Sequence, residues 1–265
     1  MVRTLIPAAL LLSLQAAECP AILLEARALL DSQQIPAALV VAEKCLATEP
    51  LNRQALLLKG NLLYLSGRDS DAIATLRDLV QREPTNNDAR YALGRIYYFG
   101  SRPEAALEQF QAIVNKEPRH YRAWDNLGLA LDATGKPEDA IKAHLRAIDL
   151  VANEHKEYDT VYANLADLLI KQNENRQAFN FAVEAAQRNP RVARNYFLAG
   201  KALTRLDQWA KSERWLLKAA ELDTADPAPH YLLAQVYQRA GEQAKASLER
   251  KIFKDLQDKA PDKKR

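Results

Sequence analysis

The stretch Glu83–Pro118 reads EPTNNDARYALGRIYYFGSRPEAALEQFQAIVNKEP. It begins and ends with Glu-Pro, and the same dipeptide stands one step earlier at Glu49-Pro50, so Glu-Pro recurs twice at intervals of 34 residues. Gly60, Gly94 and Gly128 keep the same interval, and Ala38, Ala72, Ala106 and Ala140 keep it across four copies. Chance does not align three independent residue types on one period. A fixed period of this length marks an array of stacked supersecondary units, each of which buries its apolar face only against a neighbour.

The unit is a pair of helices. Glycine is scarce, at 8 of 265 residues, and strong helix formers dominate. Pro103 and Pro137 suit the first turn of a second helix, where the missing N–H has no intrahelical partner anyway. Pro84 and Pro118 end one, because the residue before a proline avoids helical geometry. Gly67, Gly100, Gly135 and Gly241 are expected in the turn inside a pair, where a left-handed residue is needed. Gly60, Gly94, Gly128 and Gly200 fall on first helices, where only a small residue lets the second helix approach. Two interruptions are expected. About four extra residues lie between Ala152 and Asp159, lengthening two helices or forming a polar protrusion, and Pro227 arrives three residues late.

These residues resemble the tetratricopeptide repeat (TPR), whose unit reads Trp-x2-Leu-Gly-x2-Tyr, then Ala-x3-Phe, then Pro. Leu93, Gly94, Tyr97, Ala106, Phe110 and Pro118 match most of it, and Trp124, Leu127 and Gly128 match the first half of the next copy. Later copies keep Tyr162, Leu165, Ala166 and Ala178; Tyr196, Gly200 and Leu203; and Leu233, Ala234, Tyr237 and Ala246. The first is the most degenerate but retains Ala26, Leu29, Ala38 and Ala42. The resemblance implies an all-α fold, a right-handed α-solenoid of about seven TPR helix pairs. The array spans residues 18–258, with repeats near 19–52, 53–86, 87–120, 121–158, 159–192, 193–226 and 227–258, and a basic polar tail at 259–265.

Residues 1–17 read differently. Arg3 precedes an uncharged run, Leu5–Leu14, and then Ala16 and Ala17, the layout of a secretory signal peptide. Ten residues rise only ~15 Å as a helix, about half a bilayer core, so a membrane span is not expected. Export to the periplasm or outside the cell follows from this reading; an apolar helix packed on the first repeat of a cytoplasmic protein is the alternative. Cys19 and Cys45 lie at neighbouring ends of the first helix pair. In an oxidising compartment they form a disulfide worth roughly 3 kcal/mol; otherwise they are buried thiols.

Nothing in the sequence asks for catalysis, a metal or a cofactor. The glycines are used by the repeat, leaving no phosphate-cradling loop, and the four histidines show no metal-ligand spacing. His144 stands where the repeat carries a packing residue, and His155 falls in the inserted segment as a solvated side chain. Basic and acidic residues, 37 and 34, are interspersed, so no nucleic-acid footprint is expected. The membrane enters only if the N-terminal segment stays uncleaved or is lipidated.

The family resemblance places first helices on a concave face that holds extended peptides. Projected onto this chain, the candidate groove residues are Asn61, Tyr91, Arg95, Asp125, Asn126, Asn164, Asp167, Lys201, Tyr231 and Gln235, with Leu57, Tyr64, Tyr98, Phe99 and Phe197 beside them. Asn126 and Asn164 occupy equivalent places and resemble two rungs of an asparagine ladder, unless their amides bond locally. Thr160 stands where the carboxylate clamp of co-chaperone repeats needs a lysine, so chaperone C-termini are not expected ligands. The function so implied is a non-catalytic scaffold that binds a protein or extended peptide during assembly of an envelope complex. A docking subunit of an enzyme and a self-associating structural solenoid are the alternatives.

Overall fold

The computed structural model describes residues 18–259; residues 1–17, read from sequence as a signal peptide, and 260–265 of the basic tail lie outside the described residues. The described residues form fourteen α-helices and no strand. They are α1 Glu18–Asp31, α2 Ile35–Thr48, α3 Arg53–Leu65, α4 Asp69–Arg82, α5 Asn87–Phe99 and α6 Pro103–Lys116 in one compact part, Met1–Pro118. The other part, Arg119–Arg265, holds α7 Tyr121–Ala133, α8 Pro137–Val151, α9 Thr160–Lys171, α10 Asn175–Arg188, α11 Ala193–Arg205, α12 Trp209–Leu222, α13 Ala228–Arg239 and α14 Gln243–Lys259. Within each part, odd-numbered first helices pair with the even-numbered second helices that follow, and successive first helices lie side by side.

The period has a backbone signature. Gln33, Gly67, Ser101, Gly135, Asn173, Asp207 and Gly241 all have positive φ, one in each turn between paired helices. They are spaced by 34 residues except for the step of 38 from Gly135 to Asn173. The third turn corrects one expectation: Gly100 is a right-handed cap at φ −81°, and Ser101 takes the left-handed position at φ 57°. The late proline is not an insertion either, since Asp207 to Gly241 keeps the 34-residue step. Pro227 instead precedes α13 as its N-cap.

The recurring Glu-Pro-x-Asn forms the joint between pairs. Glu49 and Glu83, each before a proline, leave helical geometry at φ −126°, ψ 76° and φ −123°, ψ 78°, which ends α2 and α4. Asn52 and Asn86 then cap α3 and α5, each accepting from the backbone N–H three residues on at 3.0 Å. Their Nδ2 groups donate back to Glu49 and Glu83, at 2.7 and 3.0 Å. The glutamate therefore fixes the cap that fixes the next helix.

The close-approach glycines are enforced by the residue sixteen positions on. A Cβ at Gly60 would stand 2.5 Å from Leu76, at Gly94 2.8 Å from Phe110, at Gly128 2.6 Å from His144, and at Gly200 2.6 Å from Leu216. His144 is thus the packing residue that the repeat requires, and it is 1 % exposed.

The four-residue insertion does not lengthen two helices, and its polar Asn153, Glu154, Lys156 and Glu157 are exposed. Helix α8 has 15 residues against 14 for most second helices, and α9 has 12. The intervening segment folds back on the C-terminal part: the His155 ring packs on Tyr121 at 4.5 Å rather than standing in solvent, and Tyr158 reaches Asp125.

Candidate peptide-binding groove

In the C-terminal part three helices each present two or more residues spaced by one turn to a common groove. Helix α11 contributes Phe197, Lys201 and Arg205; α13 contributes Tyr231 and Gln235; α14 contributes Phe253 and Gln257. Residues four apart stack on one helical face, so each helix lays down a row and the rows converge. Thr204, Trp209, Leu232 and the Pro227-Ala228 entry to α13 complete the lining. The groove holds about 700 Å³, within the ~300–1,000 Å³ typical of ligand clefts. Tyr231 is 52 % exposed, with its ring 5.4 Å from that of Phe253. Two of the lining side chains are cationic and none is acidic. Asp167, on α9, approaches Lys201 at 3.6 Å, and Asp207 accepts the Trp209 indole N–H at 3.3 Å.

This groove unites three of the candidate residues read from sequence, Lys201, Tyr231 and Gln235, with Phe197 beside them. It does not unite the others. Asp125 and Asn164 are 1 % and 6 % exposed, which corrects their assignment to an open face. Asp125 instead accepts hydrogen bonds from His144 Nδ1 (3.0 Å), Tyr158 Oη (2.8 Å) and Asn164 Nδ2 (3.0 Å). Asn164 Oδ1 accepts from Arg194 Nη1 at 2.9 Å, so one polar chain crosses the first helices α7, α9 and α11. The second rung, Asn126, donates to the carbonyl of Arg122 at 2.8 Å, a local bond. Asn164 thus spends its amide within the chain, while Asn126 spends one N–H on its own helix. Asp167 is partly exposed and sits between Lys171 (3.8 Å) and Lys201 (3.6 Å).

In the N-terminal part, Asn61 on α3 and Tyr91 on α5 are half-buried, and Tyr91 packs edge-on against Phe110 at 5.9 Å. Arg95 is exposed, with its guanidinium 5.9 Å from the Phe99 ring. None of these three lines a cleft among those found there; Leu57 does, in a polar one of about 350 Å³ with Arg53, Asn86 and Glu117.

Sequence reasoning passed over Arg205, Trp209, Phe253 and Gln257. The signal for Gln257 was the length of α14, 17 residues against 14 for most second helices, which carries this amide one turn beyond Phe253. At the opposite end of the described chain, Cys19 and Cys45 are joined, with Cα atoms 5.0 Å apart, inside the cluster formed by α1, α2 and α3. No cluster of three or more His, Cys, Asp or Glu side chains suited to a metal occurs among the described residues. No helix among them is long and apolar enough to cross a membrane.

The family profile described as tetratricopeptide repeat matches residues 23–87 and 91–155. No curated protein matches the sequence significantly. Among solved structures, a tetratricopeptide repeat protein from Parabacteroides merdae is similar with a TM-score of 0.71 at 14 % identity, over 92 % of this chain and 94 % of that one. Pseudomonas aeruginosa PilF is similar with a TM-score of 0.68 at 18 % identity, over 78 % and 93 %. YrrB, a TPR protein with an unusual peptide-binding site, is similar with a TM-score of 0.55 at 16 % identity, over 72 % and 96 %. At these identities the likeness is one of fold. Matched profile, repeated turns and paired helices agree, and the chain belongs to the tetratricopeptide repeat family.

Proposed function

We propose that the protein is a non-catalytic scaffold that holds an extended peptide, or a segment of a partner protein, in the groove of α11, α13 and α14. The observation that carries this reading is the exposed Tyr231 ring beside Phe253, with the Gln235 and Gln257 amides along the same groove. Rings supply apolar area at low entropic cost, and a side-chain amide both donates to and accepts from a peptide backbone. That YrrB, of the same fold, carries a peptide-binding site supports the assignment. A photo-crosslinking residue in place of Tyr231 should give a discrete adduct in cells, and one in place of the exposed Leu145 on α8 should not. Equal labelling from both positions would overturn the reading.

The N-terminal layout supports export, and with it a place in the assembly of an envelope complex. The mass of the mature protein tests this directly. A chain shortened near Ala16 or Ala17 is expected; an intact Met1 on soluble cytoplasmic protein would rule export out.

A further inference from the structure

We propose that the groove selects peptide segments in which an aromatic or large aliphatic side chain is flanked by acidic ones, a specificity that rests on the groove being a peptide site. The charge of the lining is one-sided: Lys201 and Arg205 stand one turn apart on α11, and no carboxylate lines the groove. Arg205 is exposed and makes no hydrogen bond or ion pair with the described residues, so its charge is available to a ligand. Lys201 is only partly engaged, at 3.6 Å from Asp167. The side-chain amides of Gln235 and Gln257 likewise make no hydrogen bond among the described residues. The rings of Phe197, Tyr231 and Phe253 line the same groove, with Lys201 Nζ 6.0 Å from the Phe197 ring. An apolar side chain seated on those rings puts its flanking residues beside Arg205 and Lys201, where a carboxylate is attracted and an ammonium repelled.

Charge also separates the competing occupants. Residues 260–265, which follow α14, read APDKKR and carry three cations against one acid, so the chain's own tail is mismatched to this lining. The uncharged Leu5–Leu14 run supplies apolar side chains but no carboxylate.

Calorimetric titration of the full chain with three end-blocked heptapeptides tests the proposal. The first is Asp-Glu-Phe-Asp-Leu-Glu-Ser, the second has lysine for every acid, and the third has serine for Phe and Leu. The acidic aromatic peptide should bind about tenfold more tightly than the lysine peptide, the preference should shrink with salt, and the serine peptide should bind more weakly still. Arg205→Glu, at an exposed position, should remove the preference while leaving the helical signal unchanged. Equal binding of the acidic and lysine peptides, weakened for both by Tyr231→Ala, would sink the charge selectivity and leave the peptide site standing. Binding of none of the three, or binding indifferent to Tyr231→Ala, would remove both. A concentration-dependent dimer that Tyr231→Ala disperses would make a second copy the occupant and overturn the proposal as well.

Discussion

The Nδ2 group of Asn164 donates to Oδ1 of Asp125 at 3.0 Å, joining first helices α9 and α7 through two buried side chains. Oδ1 of the same amide accepts from Arg194 on α11 at 2.9 Å, so the amide is spent as a strut between repeats. Asp125 meanwhile pairs with Nδ1 of His144, which fills the space left by Gly128, and with Tyr158, which pins the inserted segment. Asp125→Ala strips the acceptor from three donors at once and should cost at least about 3 kcal/mol, since each buried donor left unpaired costs roughly 1–3. Tyr158→Phe should cost about 1 kcal/mol. Urea unfolding measures both. Because neither residue lines the groove, Tyr158→Phe should leave peptide affinity as it was.

The left-handed turn residue of the third pair is Ser101, where the first two glycines of the series would predict glycine. A non-glycine residue in that conformation carries a steric cost of about 1 kcal/mol. Ser101→Gly should therefore raise stability by up to about that amount, less the extra freedom glycine gives the unfolded chain. Gly67→Ala, at φ 72°, should lower it. Thermal unfolding of the two variants side by side should shift in opposite directions.

Burial raises the Tyr237 hydroxyl well above its ordinary value near 10, and its hydrogen bond to Glu213 at 2.9 Å adds to the rise. The unfolded chain then loses this proton at lower pH than the folded one. Stability from this group is complete below pH ~10 and falls as the pH rises beyond it. Tyr237→Phe should be less stable at neutral pH, where the hydrogen bond is lost, and should decline less steeply between pH 10 and 12. Parallel alkaline slopes for the two proteins would contradict this account of Tyr237.

Joining Cys19 to Cys45 closes a loop with a sequence separation of 26, on the first helix pair. Helix α1 packs mainly on α2 and more lightly on α3, so the bond clips it to its main neighbour. Unfolding in urea with a reductant present should show a loss of roughly 3 kcal/mol relative to the oxidised protein. The amides of α1 should lose hydrogen-exchange protection first.

The repeat was legible because its rules are local. A proline after glutamate, an asparagine cap two residues on and a small residue opposite a large one sixteen positions later each act within one copy, so the sequence displays them at a fixed interval. Lys201, Tyr231 and Gln235 were legible for the same reason, since the frame places them on one face of their first helices. Asp125 and Asn164 share that frame, yet they are buried. What covers Asp125 is Tyr158, from the inserted segment 33 residues on, and no repeat rule specifies how an insertion folds back. Phe253 and Gln257 were not legible because they lie on a second helix, where the family pattern places no groove residues, and Gln257 falls in the residues that α14 adds to the usual 14.

The groove itself is tested most directly by the affinity of the acidic aromatic heptapeptide for the native chain and for Tyr231→Ala. Tyr231 is 52 % exposed, so its truncation should leave the melting temperature nearly unchanged. Removal of a central aromatic contact should weaken binding about tenfold or more. Undiminished affinity in a folded Tyr231→Ala protein would contradict the assignment of the groove between α11, α13 and α14 as the place where this protein holds its partner.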